Sequence, residues 1–283
     1  MSEVLAADID VIHRAALHKY RSWKRFHFGP RAENLELLQG LSHYSNPVLV
    51  AGCQRSGTTM LTRMIASSRG FVRLSLTNDD ELDAALALSG KIDLPKENRY
   101  CFQTTYLNER YIEYQRIDST TKLIWVIRDP ESVVYSMLYN WKRFALNEVY
   151  VGCGLPQTDI PRLKRHWAPW PVGPSRLERA CYSYVGKCAQ LEEIREWLSH
   201  KNLLVVNYDS LVRAPEKWLP AIFQFVHEPF DATYAHGLSQ ASLIKKALLT
   251  PTQIRRVQDI AEPAYLKCMG YVSGLKEQSR VVE

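Results

Sequence analysis

The sequence contains no run approaching the roughly 18 uncharged apolar residues that a membrane span requires. Its first residues, MSEVLAADIDVIHRAALHKY, begin acidic and hold no apolar stretch of the kind a secretory signal carries. The six cysteines (Cys53, Cys101, Cys153, Cys181, Cys188, Cys268) make no C-x-x-C pair and no even framework, so reduced thiols are expected rather than a disulfide scaffold. No internal repeat and no low-complexity tract occurs. Charge of one sign is also scarce: 36 Lys and Arg face 30 Asp and Glu, a net of +6. That excess suits an anionic ligand but is too small to point to nucleic acid. These absences lead to the expectation of a cytoplasmic protein with neither membrane nor nucleic acid as partner. What is present, 46% apolar and 23% charged residues over 283 positions, is ordinary globular usage and excludes a disordered or fibrous chain.

Three short stretches, Pro47–Gly52 (PVLVAG), Lys122–Ile127 (KLIWVI) and Asn202–Val206 (NLLVV), are continuous apolar runs, the pattern of strands buried on both faces. Weaker strand signals lie at Phe71–Leu76 and Arg99–Gln103. Helical spacing is read at 59–68, from the cap at 78–81, and at 105–117, 131–144, 176–200, 215–226 and 251–269. In the first 45 residues Ile9, Ile12, Ala16, Tyr20 and Trp23 recur on one helix face, and the basic residues nearby lie largely off that stripe, as on a solvated face. The stretch 147–175, with five prolines and two tryptophans, reads as an irregular excursion. Strands alternating with helices predict an α/β fold, a P-loop-like parallel sheet with helices on both faces. One domain is expected: helices over 1–45, a nucleotide-binding core over 46–230 with a lid-like insertion at 147–175, and a helical segment over 231–283.

The first strand runs into Gly52-Cys-Gln-Arg-Ser-Gly57-Thr-Thr and then into a helix. G-x-x-x-x-G followed by two hydroxyl residues is the geometry in which backbone N–H groups and a helix N-terminus face a phosphate. The bland alternative is a tight strand-to-helix turn. A nucleoside triphosphatase carries Lys directly after the second Gly; here Thr58 occupies that place and the cation is Arg55, three residues earlier. KLIWVI ends in Arg128 rather than an acidic magnesium ligand. Both departures argue against metal-dependent hydrolysis of a nucleoside triphosphate. The second constellation is Arg128-Asp-Pro-Glu-Ser-Val-Val-Tyr-Ser136. An Arg at the C-terminal end of a strand points into the crevice where open α/β sheets bind ligands, and Arg plus a hydroxyl suits a phosphate monoester. An Arg-Asp pair capping the helix explains the same residues equally well.

GCQRSGTTML resembles the 5′-phosphosulfate loop of the sulfotransferase superfamily, and RDPESVVYSMLYNW resembles its 3′-phosphate motif, with Arg and Ser eight residues apart. LLVVNYDSLVRAPEKWLPAIFQFV resembles the later strand-helix block of that family, and FQTTYLN a degenerate form of its middle segment. The four stand in the family's order from about Asn46 to Phe230. The resemblance implies a P-loop-like α/β enzyme that transfers the sulfuryl group from 3′-phosphoadenosine 5′-phosphosulfate (PAPS), without a metal, to a hydroxyl or amine. It implies that Arg55, Ser56, Gly57, Thr58 and Thr59 hold the 5′-phosphosulfate, Arg128 and Ser136 the 3′-phosphate, and that Tyr208 contacts the nucleotide. The late Arg-Lys-Gly cap of the hormone-sulfating branch is missing, and the RSGTT loop resembles the tyrosylprotein and bacterial branches instead. Relatives of that type place a catalytic carboxylate a little over twenty residues beyond the Arg. Asp79, Asp80 and Glu81 lie 24 to 26 residues beyond Arg55, and the same trio also suits a helix first turn with no catalytic role.

No His stands between His43 and His166, which removes the hormone-sulfating branch's His base. Aromatic residues near the crevice (Tyr100, Phe102, Tyr106, Tyr135, Tyr139, Trp141) suit a small-molecule acceptor, and the acidic trio beside them a cationic one such as an alkaloid or another natural product. The competing readings are a P-loop nucleotide kinase and a catalytically silent nucleotide-binding protein. Within 147–175, Arg162, Lys164 and Arg165 are expected on a lid that brings a cation to the 3′-phosphate.

Overall fold

The computed structural model describes residues 36–272, apart from 75, 77–78, 105–106, 108–109, 142, 159–172 and 239–242. The apolar runs form the strands β1 (Val48–Gly52), β3 (Lys122–Ile127) and β4 (Leu203–Asn207), joined by the short β2 (Cys101–Gln103). All are parallel in the order β2-β1-β3-β4. The helices are α1 (Thr58–Ala66), α2 (Asp80–Leu88), α3 (Pro130–Tyr139), α4 (Arg143–Val149), α5 (Arg176–Trp197), α6 (Tyr208–Arg213), α7 (Pro215–Phe225) and α8 (Pro251–Met269).

Successive strand residues serve opposite faces of the sheet. Leu49, Ala51, Leu123, Trp125, Ile127 and Val205 join one core with α2, α3, α5 and α8. Val48, Val50, Ile124, Val126 and Val206 join the other with α1, α6 and α7. With helices on both faces, the C-terminal edge of the sheet is the open end. Register aligns Gly52 with Val126 and Ile127 with Asn207, so the loops after β1, β3 and β4 emerge side by side. Two long helices start where a hydroxyl residue caps them. Ser175 and Glu178 form a reciprocal capping box on α5, and Thr250 and Gln253 form one on α8, just ahead of Pro251.

Three sequence expectations change. Among the described residues of Phe71–Leu76 no strand forms: Val72 makes a single backbone bond to Arg99 (2.9 Å) and is 43% exposed. Of the helix expected at 105–117, the described residues Tyr111–Arg116 form a 3₁₀ turn instead, and 105–106 and 108–109 lie outside the described residues. The described part of 147–175 is largely regular rather than an irregular excursion. It completes α4, then forms a π turn (Tyr150–Gly154) and a 3₁₀ turn (Leu155–Gln157). Packing on α5 imposes this. A β-carbon on Gly186 would lie 2.1 Å from the Cys153 carbonyl, so helix and π turn meet backbone to backbone. Arg162, Lys164 and Arg165 lie outside the described residues, as do the N-terminal helical stripe and Tyr106. Among the described residues no helix is long and apolar enough to cross a membrane.

Candidate active site

The loop between β1 and α1 is shaped by three positive φ values: Gly52 at 141°, Arg55 at 72° and Gly57 at 98°. Gly52 is required by contact as well as by conformation, since a β-carbon there would stand 2.3 Å from the Val126 carbonyl oxygen. Gly57 is the N-cap of α1 and brings no side chain to satisfy the first-turn amides, a helix start left open to an anion. A β-carbon at Gly57 would lie 2.3 Å from the Tyr208 ring. Arg55 is a non-glycine residue in the left-handed region, a conformation that costs about 1–3 kcal/mol and is held by its surroundings.

That conformation sends the Arg55 side chain across the sheet edge, where Nε donates to Ser136 Oγ at 3.0 Å. Ser136, on α3, is buried. One hydrogen bond therefore joins the two sequence motifs. Although Arg55 reaches the surface, its guanidinium is lodged deeply enough that burial pushes it below its ordinary value. Glu81 opposes the shift and Arg128 adds to it, so a carboxylate and a second guanidinium both face Arg55.

Arg128 is 3% exposed. Its Nε donates to Asp209 Oδ1 at 3.2 Å, and its guanidinium carbon lies 5.0 Å from the centre of the Tyr208 ring. The other Asp209 oxygen accepts from the Asp129 amide at 2.8 Å. Asp129 in turn accepts from the Glu131 amide and the Ser132 hydroxyl at the start of α3, and Lys246 Nζ reaches its Oδ2 at 3.5 Å. Tyr184 on α5 donates to the Arg128 carbonyl at 2.7 Å. Sequence reasoning missed Asp209 and Lys246. The first stands next to Tyr208 in the NYDSL block, the second in the Lys245-Lys246 pair before α8; only the fold carries Asp209 to Arg128 and Lys246 to Asp129.

The acidic trio divides. Asp79 caps α2, accepting from the Glu81 and Leu82 amides at 3.1 and 3.3 Å. Asp80 pairs with Arg63 at 2.8 Å on the flank of α1. Glu81 turns to the loop side, where its Oε1 accepts from Gln103 Nε2 at 3.2 Å. The same nitrogen donates to Thr58 Oγ1 at 3.0 Å. Arg55, Ser136, Thr58, Gln103 and Glu81 thus form one group at the C-terminal edge. Arg128 lies beside it, whereas Asp79 and Asp80 face elsewhere.

The model of the sulfotransferase domain family matches residues 45–247, most of the chain and all of these side chains. The chain belongs to the sulfotransferase domain family. Its function is therefore sulfuryl transfer, and the donor used by this family is PAPS. No curated protein matches the chain. Among solved structures, the sulfotransferase domain from the curacin biosynthetic pathway is 12% identical, with a TM-score of 0.49 over 75% of this chain and 95% of its own. A sulfotransferase from Alicyclobacillus acidocaldarius is 10% identical, with a TM-score of 0.48 over 80% and 95%. Mouse sulfotransferase SULT7A1, complexed with PAP, is 16% identical, with a TM-score of 0.47 over 80% and 87%. The assignment of this sulfotransferase rests on the domain match.

Proposed function

We propose that this sulfotransferase binds PAPS along the C-terminal edge of the sheet and transfers its sulfuryl group to a hydroxyl or amine of a small molecule, releasing adenosine 3′,5′-bisphosphate. The observation that carries the reading is the Arg55–Ser136 hydrogen bond, which ties the open helix N-terminus at Gly57 to the Arg128–Ser136 motif. The charge of Arg128 acts against that of Arg55, a repulsion that an anion bound near both would offset. The residues fit the donor: a side-chain-free helix start with Thr58 and Thr59 for the phosphosulfate, and Arg128, Ser136 and nearby Lys246 for the 3′-phosphate. Bound PAPS supplies an activated sulfuryl group on a nucleotide leaving group.

Arg55 and the amides of Gly57 to Thr59 would stabilise charge on the oxygens of the group in flight, as fixed donors do in phosphoryl transfer. Glu81 is the favoured general base, because its carboxylate is hydrogen-bonded to Gln103, whose nitrogen also serves Thr58 of the loop. It would take the acceptor proton as the new O–S or N–S bond forms and the bond from sulfur to the nucleotide oxygen breaks. Tyr208 would act through Gly57 and Arg128, against which its ring packs. Aromatic residues on α3, Tyr135 and Tyr139 with ring centres 4.9 Å apart, suit a small apolar or cationic acceptor.

The test is transfer from radiolabelled PAPS into a panel of phenols, alcohols and amines, beside calorimetry with adenosine 3′,5′-bisphosphate and with ATP plus magnesium. Labelled product together with selective binding of the bisphosphate is expected. Binding of ATP and magnesium alone would turn the reading to a kinase, and bisphosphate binding with no labelled product to a silent binder.

A further inference from the structure

We infer that Gln103 is a positioning residue for sulfuryl transfer: its amide nitrogen holds the Glu81 carboxylate ionised and fixed against the phosphosulfate loop. The inference rests on Glu81 being the base. Gln103 ends β2, beside β1, and is 2% exposed. Its Nε2 carries two hydrogens and has two acceptors on different elements, Thr58 Oγ1 at 3.0 Å and Glu81 Oε1 at 3.2 Å. Its Oε1 is buried and meets no hydrogen-bond donor among the described residues. The two nitrogen contacts alone therefore set the amide's orientation. A side chain whose carbonyl gains nothing is oriented entirely by what its nitrogen serves.

The chemistry of the pair is specific. A neutral N–H donor favours the charged form of a carboxylate, which is the form a base needs. An amide accomplishes this without placing a third full charge beside Arg55 and Arg128. Because Thr58 opens α1, the same nitrogen fixes the distance between the carboxylate and the loop that would hold the sulfuryl group. Arg55, from the loop, and Tyr114, from the 3₁₀ turn at 111–116, also face Glu81 electrostatically. Arg55 reinforces ionisation of the carboxylate. The Tyr114 hydroxyl is neutral across the working range, because burial raises it far above its ordinary value.

Three variants test this: Gln103→Leu, Gln103→Lys and Glu81→Gln. Two readouts are followed in the full chain. One is the titration of the Glu81 carboxyl by NMR with carboxyl-labelled glutamate, assigned by the signal lost in Glu81→Gln. The other is turnover of radiolabelled PAPS, counted as loss of donor whichever oxygen or nitrogen takes the group, water included. Gln103→Leu should raise the Glu81 midpoint, lower kcat by about ten- to a hundredfold, and leave affinity for adenosine 3′,5′-bisphosphate within about twofold. Gln103→Lys restores a donor and adds a positive charge, so it should move the midpoint the opposite way. A merely structural Gln103 would move neither midpoint in opposite directions nor spare nucleotide binding.

An unchanged midpoint in both Gln103 variants overturns the inference. So does wild-type kcat in Gln103→Leu when Glu81→Gln is inactive, an outcome that leaves the base reading standing. Wild-type turnover in Glu81→Gln removes the base reading itself, and the catalytic role of Gln103 with it.

Discussion

Asp209 holds Arg128 from below the site: one carboxylate oxygen accepts from the Arg128 Nε at 3.2 Å and the other from the Asp129 amide at 2.8 Å. Both side chains are buried, at 4% and 5% exposure. Breaking such a pair from one side strands a charge and costs about 3–5 kcal/mol. Asp209→Ala should lose that much in a denaturant titration and regain part of it in saturating adenosine 3′,5′-bisphosphate, whose 3′-phosphate would stand in for the lost carboxylate. A variant as stable as wild type would show that the pair is idle.

Arg128→Ala should weaken bisphosphate binding by about 1.5–3 kcal/mol, the value of a charge-assisted hydrogen bond. Calorimetry at fixed salt reads this directly. If affinity holds and only stability falls, Arg128 is a structural partner of Asp209 and nothing more.

Arg55→Ala should behave differently. Arg55 stands at the loop that would meet charge growing on the transferring group, so kcat should fall far more than bisphosphate affinity. Equal losses in both would reduce it to a binding residue.

Gly57→Ala puts a β-carbon where the Tyr208 ring already lies, at a φ of 98°. The backbone conformation alone costs about 1–3 kcal/mol for a non-glycine residue. Thermal unfolding should show at least that loss. Removing the ring as well, in Gly57→Ala with Tyr208→Ala, should recover the clash component but not the conformational one.

Stability should fall as the solution is made alkaline. All six cysteines are buried and free. Burial pushes the Cys153 thiol up to about 11 and the Cys181 thiol to about 12, from an ordinary value of 9.0, and raises Cys53 and Cys101 further. Above pH 9 the unfolded chain releases thiol protons that the folded chain retains. Stability is therefore complete below about pH 9 and declines above it, by about 1.4 kcal/mol per pH unit for each thiol until its folded value is reached. Denaturant titrations from pH 7 to 11 measure the slope. A Cys181→Ala variant should show a shallower one, and Ellman's reagent at pH 8 should find thiols only after unfolding.

The central strands were legible because both of their faces are buried: PVLVAG, KLIWVI and NLLVV have no polar alternation to confuse the period. Phe71–Leu76 was misread because a short stretch alternating apolar and polar residues looks the same whether or not a partner strand exists; here Val72 faces outward. The π turn at Tyr150–Gly154 was invisible because proline content downstream signals irregularity, whereas α5 imposes the turn by contact. At the site, Arg55, Ser136 and Arg128 were readable as motifs, since each local pattern has its own chemistry. Their partners were not. Asp209 lies 81 residues from Arg128 and Gln103 lies 45 from Thr58, and nothing local marks a side chain whose role is to orient another. The different surroundings of the acidic trio, with Asp79 capping α2, Asp80 paired with Arg63 and Glu81 bonded to Gln103, were not legible in the sequence, because three adjacent acids at a helix start look alike there.

The strand order β2-β1-β3-β4 sets how substitutions combine. Adjacent strands lie about 4.8 Å apart, so the ends of β2 and β4 are separated by on the order of 14 Å. Gln103 stands at one end of that line and Asp209 just beyond the other, with no hydrogen-bond partner in common. Effects of residues more than about 7–10 Å apart without shared partners add. Gln103→Leu and Asp209→Ala should therefore combine additively in turnover and stability, whereas Gln103→Leu and Glu81→Gln should not. The sheet thus keeps the Gln103–Glu81 contacts at the β2 edge thermodynamically separable from the Arg128–Asp209 pair at the β4 end, so a substitution in one pair is expected to leave the energetics of the other unchanged.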